Sequence, residues 1–167
     1  MAGMGESLDF WRRAGLWALC RQYSQRGGAM ADTVQRVQYF YTAVPDQPGE
    51  GAKLLGLLKE AGVNLLAFSG FPHGRQAQVD FIPADPAAFR AFARKAKLKL
   101  VGPKTGFLVQ GEDRVGALTE IMTKLSDAKI NVTACDAVAI GEGRYGAILW
   151  VKPGDVQKAA RLLGASK

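Results

Sequence analysis

The chain has 167 residues, 48% of them hydrophobic and 22% charged, with a formal charge of +7. That is the composition of an ordinary globular protein and not of a disordered or low-complexity chain. No apolar run reaches the length of a membrane-spanning helix.

Met1 to Ala29 stand apart from the rest of the chain. Arg12, Arg13, Arg21 and Arg26 outweigh Glu6 and Asp9, so this segment carries +2 of the total and the remainder carries +5. Its apolar stretch, Ala14 to Cys20, is too short for a secretory signal, and Gln22 to Arg26 supply no small-residue cleavage site. Leu8, Trp11, Leu16 and Leu19 are spaced to form one face of a short helix that would dock on the body or a partner. The favoured reading is a frayed leader, residues 1–29, or an upstream extension with Met30 as the natural start. Cys20 lies here and Cys135 far downstream, so neither a disulfide framework nor a metal set is implied. A reducing, cytoplasmic setting is expected, with no cofactor and no metal.

The body begins with Val34 to Ala43, rich in β-branched and aromatic residues and read as a strand that Pro45 and Pro48 stop. Gly49 opens a helix whose apolar stripe is Leu54, Leu55, Leu58 and Ala61, and Gly62 ends it. Leu65 to Phe71 and Gln76 to Ile82 read as a hairpin about Pro72-His73-Gly74. Asp85 caps a helix with Pro86 at its first position and Ala88, Phe89, Phe92 and Ala96 as its buried face. Leu98 to Val101 is a short strand, broken by Gly102-Pro103.

A second pass repeats the first. Phe107 to Gln110 is a strand, Gly111 to Gly116 a loop, and Leu118, Ile121, Met122, Leu125 and Ala128 a helical stripe. Val132 to Ile140 and Tyr145 to Val151 are strands about Gly141-Glu142-Gly143. Asp155 is expected to cap a last helix bearing Val156, Ala159, Ala160 and Leu163. Gly49 to Gly116 and Asn64 to Asn131 are both offsets of 67 residues, so a turn, a helix and the start of the next strand keep register across two copies. The predicted fold class is α+β: two tandem ferredoxin-like βαββαβ units, over 34–101 and 106–167, the second lacking its last strand.

In each copy a loop joins a strand to a helix N-terminus: Asp46, Gln47, Pro48, Gly49 in the first, Asp113, Arg114, Val115, Gly116 in the second. A helix start offers free N–H groups and partial positive charge, which suit a carboxylate. An acid just upstream suits an ammonium group, and glycine admits close approach. A loop that merely starts a helix explains the same residues about as well.

Both loops, with their helices and the strand entries Gly62-Val63-Asn64-Leu65 and Lys129-Ile130-Asn131-Val132, resemble the ACT-domain family. The resemblance covers Val34 to about Leu163, with Gln47 where a basic residue is usual and Val115 where proline is usual. It implies a regulatory module that binds a small ligand, an amino acid, where two domains meet. The implied ligand residues are Asp46, Gln47, Pro48, Gly49 and Asn64, with Asp113, Arg114, Val115, Gly116 and Asn131. With no enzyme attached, the chain is expected to act in trans on a regulated enzyme partner and to form a homodimer.

Other features read as structural. His73 is a turn residue with no nucleophile or carboxylate beside it, and Cys135 is a packed strand residue. Gly141-Glu142-Gly143 is a turn and not a phosphate loop. Trp150 belongs to core or interface. The cations Arg90, Arg94, Lys95, Lys97, Lys99 and Lys104 read as a solvated helix end ahead of a nucleic-acid patch, so nucleic acid is not the expected partner. Two rival functions stay open: an assembly or dimerisation subunit without ligand, and a basic ferredoxin-like nucleic-acid binder using Tyr39 and Tyr41 as a stacking surface. No catalytic residue is assigned and no enzyme is expected.

Overall fold

Alternation of apolar residues along β1, Thr33–Pro45, sets the organisation of the molecule: Val34, Phe40 and Val44 are buried on one face and Val37 on the other. The computed structural model describes residues 32–166, which fall within one compact unit, Asp32–Lys167. The leader reading of Met1 to Ala29 lies outside the described residues.

After β1 come α1 (Glu50–Glu60), β2 (Leu65–His73), β3 (Gln76–Pro83), α2 (Pro86–Lys95), β4 (Val101–Glu112), α3 (Thr119–Asp127), β5 (Val132–Gly141), β6 (Arg144–Val151) and α4 (Val156–Leu162). The strands form one antiparallel six-stranded sheet in the order β2-β3-β1-β4-β6-β5. The fold is thus mixed α/β, with β1 and β4 paired at the centre.

The helices pack on one face and make two cores. Phe40, Val44, Leu54, Leu58, Val79, Phe81 and Phe89 form the first, beneath α1 and α2. Val34, Phe107, Val109, Ile121, Leu125, Tyr145, Leu149 and Ala159 are members of the second, beneath α3 and α4. In α1 Leu54 and Leu58 of the predicted stripe are buried, one turn apart, whereas Leu55 and Ala61 are exposed. Gly62 then adopts φ 66°, while the Val63 N–H donates to the Leu58 carbonyl at 3.0 Å, closing the helix as glycine C-caps do. In α2 the Asp85 carboxylate accepts from the Ala87 and Ala88 N–H groups at 2.8 and 3.1 Å. Its buried residues are Phe89 and Ala93, with Phe92 half-buried, whereas Ala88 and Ala96 face solvent.

Two expectations change. The strands read at Leu98–Val101 and Phe107–Gln110 are one strand, β4, because a bulge absorbs Gly102-Pro103. The pairing shifts there, from Tyr39↔Lys104 to Tyr41↔Val101, so the missing proline N–H falls outside the regular ladder. Gly102 is required at φ 132°, since a Cβ would meet the Tyr39 carbonyl at 2.9 Å. Second, Asp155 makes no side-chain cap; it ends a short 3-10 turn, Pro153–Asp155, that leads into α4.

Among the described residues no helix lies on the other face, yet Val37, Ile82, Ile148 and Trp150 are buried there beside Tyr39, Ala67 and Leu108. Across this face Ser69 of β2 donates a hydrogen bond to Asp136 of β5 at 2.9 Å. These two strands are the outermost of the sheet, so the sheet is curled toward this face.

Candidate functional site

The second loop opens onto a cleft of about 280 Å³. Asp113 and Gly116 to Thr119 form one wall, Ala137 to Ala139 of β5 another, and Tyr145 of β6 completes the lining. The cleft exists because β4 and β6 are paired while the chain leaving β4 turns over the sheet before α3 begins. The Asp113 N–H donates to the Gly143 carbonyl at 2.7 Å, tying the loop to the β5–β6 turn. Gly116 has φ 75°, a backbone conformation that glycine adopts without strain.

The two repeated loops differ. Gly49 is itself the N-cap of α1, with φ 95°, and Asp46 to Gly49 are exposed. After Gly116 two further residues turn before α3 starts at Thr119. In that turn the Ala117 N–H donates to Arg114 at 3.0 Å and the Thr119 N–H to Gly116 at 2.8 Å, so these amides serve the loop itself.

Among the residues named from sequence, Asp113 and Gly116 line the cleft. Arg114 does not: its guanidinium forms a two-pronged ion pair with Asp32, at 3.1 Å on each prong, and donates to the Glu112 carbonyl at 3.0 Å. Gly111 makes room for that pair, since a Cβ there would collide with the Asp32 carboxylate and crowd the Tyr145 ring. Val115 is 88% exposed. Asn131 is exposed just before β5 and outside the cleft lining, and Asn64 is exposed with its carbonyl accepting from Ala84 at 3.0 Å. Gln47 and Pro48 lie with Asp46 and Gly49 in the exposed first loop, so the structure brings together only part of the set.

Tyr145 is a cleft residue that the repeat pattern did not mark. It is buried, and its hydroxyl lacks a hydrogen-bond partner. Burial pushes the phenol pKa well above its usual value, and the Asp32 carboxylate close by adds to the rise while falling short of hydrogen-bond geometry. An unpartnered buried hydroxyl is costly unless something reaches it. The signal in sequence was position alone: Tyr145 faces Gly111 across the β4–β6 ladder, a register that only pairing reveals.

A second polar group occupies the open face. Asp80 is buried, accepts a hydrogen bond from Gln78 at 2.9 Å, and faces Ser69 and Tyr41 in the ladder. Burial raises its pKa, and Asp136 raises it further, while the Gln78 hydrogen bond and Lys104 oppose. Tyr39 packs edge-on to Trp150 at 5.8 Å, and Tyr41 lies beneath Lys104 at 4.6 Å, so neither ring is a free stacking surface. Cys135 is half-buried against the second core, and burial pushes its thiol pKa up, the opposite of a reactive thiolate. Among the described residues no cluster of His, Cys, Asp and Glu suits a metal ion, and no helix is long and apolar enough to cross a membrane.

No protein-family model matches the chain, and no curated protein matches it. Solved structures do. Protein BT0572 from Bacteroides thetaiotaomicron aligns over 80% of this chain and 89% of its own, with TM-score 0.66 and 13% identity. The regulatory subunit of aspartate kinase from Thermus thermophilus, in ligand free form, aligns over 82% and 97%, with TM-score 0.58 and 14% identity. The corresponding subunit from Thermus flavus aligns over 83% and 97%, with TM-score 0.55 and 17% identity. At these identities the likeness is one of fold, and the fold is that of aspartate kinase regulatory subunits, of the ACT-like kind that the repeated loops resemble.

Proposed function

We propose that this protein is a regulatory module that binds a small ligand, an amino acid, in the cleft beside α3 and acts on a partner enzyme. In this reading the chain is two ACT-like units that share β4, and β1 fills the place of the strand that the second unit lacks. The first loop, without a basic residue and lying open, is scaffold. The observation that carries the reading is the cleft itself, lined by Asp113, whose carboxylate suits an ammonium group, and by Tyr145, whose buried hydroxyl lacks a partner. The small walls, Ala117, Ala137 and Ala139, leave room for a compact side chain. Fold likeness to regulatory subunits of aspartate kinase supports the regulatory role.

A thermal-shift screen of the full chain against the twenty amino acids tests this. A ligand at about 100 times its dissociation constant adds about 2.7 kcal/mol of stability. The shift is expected to disappear in Gly116→Val, which forces a β-branched residue into a left-handed conformation beside the cleft, and to shrink in Tyr145→Phe. No shift with any amino acid refutes the reading.

The assembly-subunit reading also has an observation behind it. Val115, Val138 and Ile140 are 88%, 61% and 58% exposed, the last two on the outermost strand β5. An unpaired edge beside exposed aliphatic residues is a surface for a second copy. Light scattering after size exclusion is expected to give a cytoplasmic homodimer's mass of twice 17.9 kDa, falling toward one chain in Val138→Lys.

A further inference from the structure

The helix α2 differs from the mixed-charge surfaces of α1 and α3. Its exposed residues are Ala87, Ala88, Arg90, Ala91, Arg94 and Lys95, and Lys97 and Lys99 continue the exposed surface beyond its end. No Asp or Glu occurs from Pro86 to Gly111. By contrast α1 mixes Glu50 and Glu60 with Lys53 and Lys59, and α3 pairs Lys124 with Glu120 at 2.6 Å. None of the five α2-side cations forms an ion pair among the described residues, where the pairs are Arg114–Asp32 and Lys124–Glu120.

The helix dipole accounts for Arg94 and Lys95, which lie in the last turn. It does not account for Arg90, one turn earlier, where a like charge at i+4 is unfavourable. The surface has no exposed aromatic or large aliphatic residue on α2 to anchor a protein partner. Cations set among alanines, with no anchor and no internal neutralisation, match a partner recognised by negative charge alone.

We infer that the exposed face of α2, with Lys97 and Lys99, binds the phosphate backbone of nucleic acid without reading sequence. Guanidinium and ammonium groups take phosphate oxygens, and counterion release drives the association. Base stacking is absent from this mode, because Tyr39 and Tyr41 are engaged on the opposite face of the sheet.

Fluorescence anisotropy with a labelled duplex and a labelled single strand, across salt concentrations and with the full chain, tests the inference. Five phosphate contacts predict a log–log salt slope of about −4.5 on the duplex, roughly a 500-fold loss between 50 and 200 mM salt, and about −3.5 on the single strand. Arg90→Ala with Arg94→Ala is expected to reduce the slope to about −2.7, while Lys53→Ala with Lys59→Ala on α1 leaves it unchanged. Circular dichroism checks that both variants fold. No binding at 50 mM salt, or a slope untouched by the α2 variant, overturns the inference. So does binding of polyglutamate with the same slope where the oligonucleotides fail, which points to an acidic protein instead.

Discussion

Arg114 shows why a residue's chemistry does not fix its task. In the loop it reads as a ligand contact, but its guanidinium is held by Asp32, whose side chain is 8% exposed. Removing Asp32 leaves Arg114 with an unmatched charge and opens a void against Gly111 and Tyr145. Asp32→Ala is expected to destabilise the protein by about 1–3 kcal/mol in chemical denaturation, the range for a broken buried charged hydrogen bond. Asp80 gives a prediction in pH. Its folded-state pKa is raised above the ordinary 3.8, so the folded chain holds this proton more tightly than the unfolded chain. Stability from this group is therefore greatest in acid and is lost as pH rises through the window above 3.8. Asp80→Asn removes that loss. The variant is expected to melt above the parent at pH 7, with the gap closing as pH falls below the ordinary aspartate range of about 3.9. A gap that widens in acid contradicts this.

At the scale of elements, helices were the most legible feature. Apolar stripes at helical spacing placed α1 and α3, and Asp85-Pro86 placed the start of α2 to the residue. Strand boundaries were less legible, above all at β4, where Gly102-Pro103 reads as a break. Proline and glycine mark both loops and bulges, and only the shifted β1–β4 register tells them apart. Gly102→Ala is expected to cost at least about 1 kcal/mol, since the new Cβ needs both a strained φ and a retreat of the Tyr39 carbonyl. The aromatic cluster of α2 is the heavier loss. Phe89 is fully buried and its ring lies 5.2 Å from Phe40 and 5.3 Å from Phe81, so Phe89→Ala is expected to cost about 3–5 kcal/mol.

For the molecule as a whole, the sheet's curl brings its first and last strands together. Ser69 and Asp136 lie far apart in sheet order yet hydrogen-bond across the open face. Asp136→Ala is expected to lower stability by about 0.5–1.5 kcal/mol and to speed amide exchange selectively in β2 and β5. Equal acceleration throughout the sheet contradicts a local tie between those strands.

Sequence patterns determined the helices and the strands other than β4. Those features are local: hydrophobic period, caps and turn glycines act within a few residues of themselves. Tertiary structure decided the rest. Pairing of β1 with β4 placed all six strands in one sheet, and β4–β6 register set Tyr145 against Gly111 and Asp32. Folding brought Asp32 to Arg114, 82 residues away in the chain, and gave the loop's cation a structural task. Contacts at that separation depend on how strands pair and how the sheet bends, and no local pattern encodes either.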